Sequence, residues 1–164
     1  KTNTYQVLLF DLTTSLGQSQ RAFSEFWNEL VTQPVIVICP PENEGAAIDA
    51  VKRGLPARLV REMSARLEVP LDSLAGPMQL TLRTLHRRMQ EGTLAQPESE
   101  RLLALIRVFF QAVHLLGTEE KAAHWLKSRP QVFLGKTPLE CMETWLGIRQ
   151  VEGILWRIQD GVFS

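Results

Sequence analysis

From Ala46 onward, apolar side chains recur three or four residues apart, and most such segments end at a glycine or a proline. This spacing places the apolar groups on one face of an α-helix, and glycine and proline are the residues that most often end helices. No alternating β pattern follows residue 40, so we expect an all-α fold. The predicted helical segments are Ala46–Lys52, Ala57–Leu67, Pro70–Leu74, Gln79–Gln90, Pro97–Leu116, Glu119–Lys127, Thr137–Trp145 and Ile148–Gln159. Gly92 is expected to end the fourth segment, and Thr137 and Glu140 form a capping box that starts the seventh. The last segment has an apolar face of Ile148, Val151, Ile154, Leu155 and Ile158.

Residues 1–53 follow a less regular pattern. The segments Gln6–Leu12 and Val35–Cys39 are typical of short strands, whereas Ser19–Val31 has helical spacing. The two prolines and the glycine of residues 40–45 then interrupt the chain. We therefore predict that residues 1–53 form an irregular N-terminal extension with one main helix.

Charge is distributed unevenly along the chain, although the total is zero. Residues 1–51 carry two basic and six acidic side chains, a net charge of −4. Residues 52–129 carry thirteen basic and eight acidic side chains, a net charge of +5. Residues 130–164 carry three basic and four acidic side chains, a net charge of −1. A surplus of basic groups in the middle of the chain attracts polyanions such as nucleic acid.

Residues 57–90 are predicted to form a helix, a short helix, a glycine-containing turn and a second full helix, which is the layout of a helix-turn-helix. In that motif the second helix, here Gln79–Gln90, enters the major groove of DNA. Its predicted buried stripe is Leu82, Leu85 and Met89. The side chains left for DNA are Thr81, Arg83, Thr84, His86, Arg87 and Arg88. The alternative is that these arginines form an ordinary solvated basic face.

The sequence shows none of the common catalytic, metal-binding or membrane patterns. The three histidines lie singly, without an HExxH or Gly-rich phosphate motif, so we expect no enzyme, no metal and no cofactor. Cys39 and Cys141 form no ligand pair, and we expect both to be reduced thiols in the cytoplasm. The N-terminus lacks a secretory signal pattern, and no apolar stretch is long enough to span a bilayer.

Several short motifs, taken in order, resemble one family. They are the run Thr81–Arg88, then Gly92-Thr-Leu94, Pro97-Glu-Ser-Glu-Arg101, Trp125-Leu126, Gly135-Lys-Thr-Pro-Leu139, and the closing Arg157-Ile158 and Gly161-Val-Phe163. Over residues 54–164 this set resembles the Xre/MbcA/ParS antitoxins, the partners of RES-domain toxins. One departure is Gly135-Lys136, where the family usually has two glycines.

The resemblance implies a helix-turn-helix domain over residues 54–116 that binds operator DNA, and a toxin-binding domain over residues 117–164. It implies a cognate RES-domain toxin that degrades NAD or transfers ADP-ribose. The antitoxin is expected to cover the toxin's active site without chemistry of its own and to repress its own promoter. The toxin contacts are expected from Trp145, Trp156, Arg157, Asp160, Gly161, Val162, Phe163 and Ser164.

The residues of the C-terminal segment agree with that expectation. Trp156 lies off the apolar face of the last predicted helix, and large apolar groups beyond the needs of a core mark interaction surfaces. Gly161 allows the chain to turn out of the helix so that Val162 and Phe163 enter a cleft. The alternative is that Trp156 and Phe163 close the small core.

Two further points concern assembly and the choice of function. The predicted helix Pro97–Leu116 is apolar on more than one side, so either its own domain or a second copy must cover it. We expect a homodimer, and a larger hetero-oligomer with the toxin. The other functions that the sequence allows are a stand-alone transcriptional repressor without a toxin, and an inhibitor whose helix-turn-helix no longer binds DNA.

Overall fold

The computed structural model describes residues 44–159, which form a helical body. Two 3₁₀ turns, Leu71–Leu74 and Gln131–Phe133, lie between helices. Apart from one isolated antiparallel bridge, the described residues contain no β-structure, so the all-α prediction is confirmed. The α-helices in this range are α1 (Glu44–Arg53), α2 (Arg58–Leu67), α3 (Leu82–Glu91), α4 (Gln96–Leu116), α5 (Glu119–Lys127), α6 (Pro138–Cys141) and α7 (Trp145–Gln159).

Several predicted features fall outside the described range. They are the strands at Gln6–Leu12 and Val35–Cys39, the helix Ser19–Val31, and the toxin contacts Asp160, Gly161, Val162, Phe163 and Ser164.

Helix α4 is the centre of the body. Helices α1, α5 and α7 pack against it, and α2 packs against α5. Leu102, Leu105 and Phe109 are almost completely buried, and the rings of Phe109 and Phe110 meet edge to face with their centroids 5.2 Å apart. Helices of the same chain therefore cover the apolar faces of α4. These faces do not require a second copy of the protein to bury them.

The first helix begins two residues before the predicted Ala46. It packs against α4, and Val51 is buried there. The last ten residues of the predicted N-terminal extension therefore belong to the packed body. Buried residues from Leu55 to Leu155 form one continuous cluster, so the DNA-binding and C-terminal segments share a core.

The start of α2 is fastened to the segment that follows α3. Leu94 N–H donates to Leu55 O at 2.9 Å, and Ala57 N–H donates to Gly92 O at 2.9 Å. Gly54 has a φ of 96°, and a Cβ at this position would overlap the carbonyl oxygen of Leu94. Only glycine combines that backbone conformation with so close an approach, so Gly54 sets the spacing between these two segments.

Helix α6 starts as predicted but is shorter than expected. The predicted capping box is present: Thr137 Oγ1 accepts from Glu140 N–H at 3.0 Å, and Glu140 Oε2 accepts from Thr137 N–H at 2.8 Å. The helix ends at Cys141 and does not reach Trp145. The reason is that a second cap, Thr144, begins the next helix.

Helix α7 therefore begins at Trp145, three residues before the predicted Ile148. Thr144 Oγ1 accepts from Gly147 N–H at 2.9 Å, which satisfies an amide in the first turn. A Cβ on Gly147 would overlap the carbonyl oxygen of Cys141. The glycine thus lets the start of α7 approach the end of α6.

Candidate DNA-binding and partner-binding surfaces

The predicted helix-turn-helix is present as α2, the 3₁₀ turn Leu71–Leu74 and α3. The second helix begins at Leu82 rather than Gln79. Gln79 has a φ of 55°, in the left-handed region, so it cannot open a right-handed helix. Thr81 is the N-cap instead, and its Oγ1 accepts from Thr84 N–H at 3.1 Å.

The buried stripe of α3 differs from the prediction. Leu85 is fully buried and Met89 is partly buried, but the side chain of Leu82 is 51% exposed. The packed body covers α3 only from Leu85 onward, so the first turn of the helix stands free of it. The apolar spacing identified the correct face of α3, but it did not show at which residue the packed body begins to cover that face.

Two of the predicted DNA contacts, Arg83 and Arg87, are exposed on α3. Arg83 has no ion pair with any described residue, and Arg87 lies a long 3.8 Å from its neighbour Glu91. Exposed ion pairs of that length contribute little. Both guanidinium groups therefore remain available for an anionic partner.

Three further predicted contacts are held by bonds within the chain. The hydroxyls of Thr81 and Thr84 lie 2.9 Å apart, and His86 Nε2 lies 2.7 Å from Asp72 Oδ1. Asp72 belongs to the 3₁₀ turn that precedes α3, so the His86 pair joins the two parts of the motif. These bonds restrain three side chains that lie within three residues of Arg83 in the sequence.

Arg88, the sixth predicted contact, is engaged elsewhere. Its Nη1 lies 2.7 Å from Glu91 Oε2, and its Nε lies 2.8 Å from Glu98 Oε2 at the start of α4. Hydrogen bonds to Glu98 and then Glu91 raise the pKa of Arg88 above its usual value. The guanidinium links the end of α3 to the first turn of α4, which leaves it less free than Arg83 or Arg87.

Helix α7 has one buried and one exposed face. Ile148, Val151, Ile154 and Leu155 are buried, as predicted, and Ile158 is partly buried. The exposed side chains form what we term the α7 outer face: Trp145, Leu146, Arg149, Gln150, Trp156 and Arg157. Trp145 and Trp156, the large apolar groups that the sequence singled out, are 53% and 49% exposed, and Leu146, which it did not, is 80% exposed.

Gly153 lies in the middle of α7, and the sequence-based prediction overlooked it. A Cβ at this position would meet nothing within 4 Å among the described residues. Glycine in a helix interior costs about 0.5–1 kcal/mol relative to alanine, and no neighbouring group in residues 44–159 requires it. A bare stretch of backbone between Gln150 and Arg157 allows a partner to approach closely, and the signal was visible as a lone glycine within an amphipathic helix.

The charged groups of α7 have different surroundings. Glu152 forms an ion pair with Arg107 of α4. That pair fastens α7 to the central helix. Arg157, an expected toxin contact, is exposed at the end of the helix.

The loop before α7 contacts the turn before α3. Gln79 Nε2 donates to Glu143 O at 2.8 Å, and a Cβ on Gly76 would overlap the carboxylate of Glu143. The segment that places the candidate DNA-reading helix therefore packs directly on the C-terminal segment.

Residues 44–159 offer little support for a metal site, a reactive cysteine or a membrane-spanning helix. No group of three His, Cys, Asp or Glu side chains in this range is arranged to hold a metal ion. Burial raises the pKa of the Cys141 thiol, which disfavours the nucleophilic thiolate. No single described helix is long and apolar enough to cross a membrane; α4 and α5 reach that length and composition only together, across a bend of 116°.

Comparisons with known proteins agree with this division of surfaces. Residues 46–107 match the family model described as the antitoxin Xre-like helix-turn-helix domain. Residues 111–161 match that of the antitoxin Xre/MbcA/ParS C-terminal toxin-binding domain. The second match includes all of α7.

Three similar proteins carry the name antitoxin Xre. Those of Yersinia enterocolitica and Photorhabdus laumondii subsp. laumondii are each 30% identical over 128 residues, which cover 76% of this chain and 86% of the relative. That of Pseudomonas putida is 34% identical over 83 residues, which cover 50% of this chain and 52% of the relative.

Proposed function

The chain belongs to the antitoxin Xre family, and from that premise we propose that it neutralises a cognate RES-type toxin and represses its own operon. The toxin consumes NAD, by degrading it or by transferring ADP-ribose. The antitoxin has no reaction of its own and acts by covering the toxin's active site. Operator binding requires the protein to be in the cytoplasm.

The α7 outer face carries the toxin half of the proposal. It presents Trp156 and Leu146 to solvent within the segment that matches the toxin-binding family model. Aromatic side chains contribute strongly to binding when a partner buries them. Gly153 lies between them on the same helix and permits close contact between the two backbones.

The residues after α7 complete the proposed occlusion. In the proposed complex, the conformational freedom of Gly161 lets the chain leave the helix direction, so that Val162 and Phe163 would enter a cleft that otherwise holds a nucleotide cofactor. Such clefts combine apolar walls with a few polar groups. Arg157, one turn earlier on α7, is placed to meet an acidic group at the mouth.

Deletion of Val162–Ser164 tests the occlusion. We expect the toxin's NAD-consuming activity to return in a mixture with the truncated antitoxin, while circular dichroism still shows the helices and operator binding persists. Full inhibition by the truncated protein would place the block elsewhere. The loop and helix between Thr137 and Trp145 would then be the next candidate.

Arg83 and Arg87 carry the DNA half of the proposal because their guanidinium groups are exposed on α3. Replacing both with alanine tests it in a gel-shift assay with the chain's own promoter. Each arginine that contacts a base is expected to contribute roughly 1–3 kcal/mol, and binding should weaken steeply as salt is raised. Unchanged operator binding by the double variant would mean that the protein inhibits its toxin without reading DNA through α3.

We propose a homodimer for operator binding, because helix-turn-helix proteins commonly read two half-sites one DNA turn apart. With the toxin the dimer forms a larger hetero-oligomer. Light scattering on the isolated protein tests the first step. A single species of 18.6 kDa at micromolar concentration would contradict it.

A further inference from the structure

A cavity of about 320 Å³ lies where the turn before α3, the start of α4 and the start of α7 meet. Met78, Leu80 and Pro97 supply apolar wall, Glu100 is exposed, and Arg101 and Trp145 line the same space. The cavity is large enough for a side chain of another molecule. Among residues 44–159, no side chain fills it.

Arg101 gives this cavity its chemistry. The residue is only 6% exposed, and its Nη1 is buried without a hydrogen-bond partner among the described residues. Its guanidinium carbon lies 4.7 Å from the centroid of the Trp145 ring, and burial lowers the pKa of Arg101 from its usual value. Buried donors are almost always satisfied, so an unsatisfied donor beside an open cavity points to an acceptor that arrives with a ligand.

The surroundings favour a carboxylate as that acceptor. A guanidinium binds carboxylates through two parallel N–H groups. The N-terminus of α4 adds partial positive charge, and Glu98 caps only the Ala95 N–H there. Two carboxylates also line the cavity, and neither bonds to Arg101. Arg88 pairs with Glu98, and the exposed Glu100 accepts a hydrogen bond from Gln96.

We propose that this pocket receives an aspartate or glutamate side chain of the toxin, with its carboxylate on Arg101 and its methylene stem between Trp145 and Leu80. This inference rests on the proposed toxin-binding function. Trp145 also opens α7, and Leu146 beside it is largely exposed. A protein that covers the α7 outer face therefore reaches the mouth of the pocket.

A phosphate group of DNA bound near α3 is the other anion that could reach Arg101, but it fits the pocket less well than a side chain does. A phosphodiester carries a sugar on either side, whereas a side chain enters a narrow space on a single stem. The pocket thus supplies a point of attachment for the toxin at the start of α7, in addition to the proposed contacts of Val162–Ser164. It touches the turn that precedes the DNA-reading helix.

Arg101→Met is the test variant, because it keeps a linear stem and removes the donors. Its affinity for the toxin is compared with that of the wild type, of Arg101→Lys and of Trp156→Ala, a change on the α7 outer face away from the pocket. We expect Arg101→Met to weaken toxin binding roughly thirtyfold or more, Arg101→Lys to weaken it less, and neither to change operator binding. The melting temperature of Arg101→Met should change little, because the buried Nη1 that it removes has no partner among the described residues and the methionine stem still packs on Trp145.

Neutralising the toxin's acidic residues one at a time, Asp→Asn and Glu→Gln, then identifies the partner. One such change should weaken binding to the wild-type antitoxin about as much as Arg101→Met does, and add no loss in the Arg101→Met background. That coupling would support the pocket directly.

The outcomes distinguish a failure of the pocket proposal from a failure of the proposed toxin-binding function. If Trp156→Ala weakens toxin binding but Arg101→Met does not, the pocket proposal is overturned and the toxin-binding face stands. Loss of operator binding by Arg101→Met at unchanged toxin affinity would assign the pocket to DNA and also overturn it. If the wild-type protein does not bind the toxin, the proposed function itself fails.

Discussion

Arg88 Nε of α3 lies 2.8 Å from Glu98 Oε2 of α4, and the side chain of Glu98 is nearly buried. Glu98 also accepts from Ala95 N–H at 2.6 Å, so it caps α4 and holds α3 at once. The candidate DNA-reading helix is therefore anchored at its C-terminal end by a charge pair on the central helix. Its N-terminal end, with Arg83, stands away from the body.

Replacing Arg88 with alanine is expected to lower stability, whereas replacing Arg87 is expected to lower DNA affinity. The first change leaves the buried carboxylate of Glu98 without its charged partner, which is costly. We expect a fall in Tm of about 2–4 °C or more for Arg88→Ala and almost none for Arg87→Ala. Thermal melts and gel shifts measure the two effects. A variant Arg88→Ala with unchanged Tm but weaker operator binding would make Arg88 a DNA contact.

Gly153→Ala is expected to change stability and toxin binding in opposite directions. The methyl group meets none of the described residues within 4 Å, so removing the helix-interior glycine should raise the free energy of unfolding by about 0.5–1 kcal/mol. The same methyl group occupies space that the proposed toxin needs. Urea denaturation and calorimetric titration with the toxin measure the two effects.

Gln150→Ala, one turn earlier on the same exposed face, is the control for Gly153→Ala. It removes polar surface without adding bulk near the bare backbone. Tighter or unchanged toxin binding by Gly153→Ala would show that the toxin does not approach α7 at this point.

The features that the sequence predicted correctly depend on residues close together in the chain. The capping box of Thr137 and Glu140 spans four residues, and the C-cap at Gly92 depends on one residue and its backbone conformation. The buried stripe of α7 follows from 3.6-residue spacing alone. Such signals are complete within one helix, so they can be recognised without knowing which other helices pack against it.

The features that the sequence missed depend on partners far along the chain. Arg88 and Glu98 lie on different helices, and the spacing along α3 gave no reason to separate Arg88 from Arg83 and Arg87. Leu82 had the spacing of a buried residue, but how far the body extends over α3 is a tertiary property. The contact of Arg101 with Trp145 joins residues 44 positions apart, and no local sequence pattern predicts it.

Gly54→Ala is expected to be far more damaging than Gly117→Ala. Both glycines have a φ near 90°, which costs alanine about 1–2 kcal/mol. Gly117 has open space around its Cα, whereas a Cβ on Gly54 would overlap Leu94 O and break the junction with the segment after α3. Urea denaturation of the two variants separates backbone strain from overlap. Equal losses would show that the segment after α3 moves aside without cost.

Glu140 is expected to make the stability of the C-terminal segment depend on pH. The N–H of Thr137 donates to its carboxylate and, with a smaller contribution from Arg129, holds the pKa of Glu140 below the ordinary value of 4.5. A carboxyl whose folded pKa is depressed stabilises the fold above its unfolded pKa, and this contribution is lost as pH falls through the folded value. Glu140→Gln keeps an acceptor for Thr137 but removes the charge. The Tm of the wild type should therefore exceed that of Glu140→Gln at neutral pH, and the gap should close as pH falls below 4.5. Glu143→Gln, at an exposed carboxylate that caps no helix, serves as the matched control, and an equal pH-dependent gap for that variant would attribute the effect to net charge rather than to the capping box.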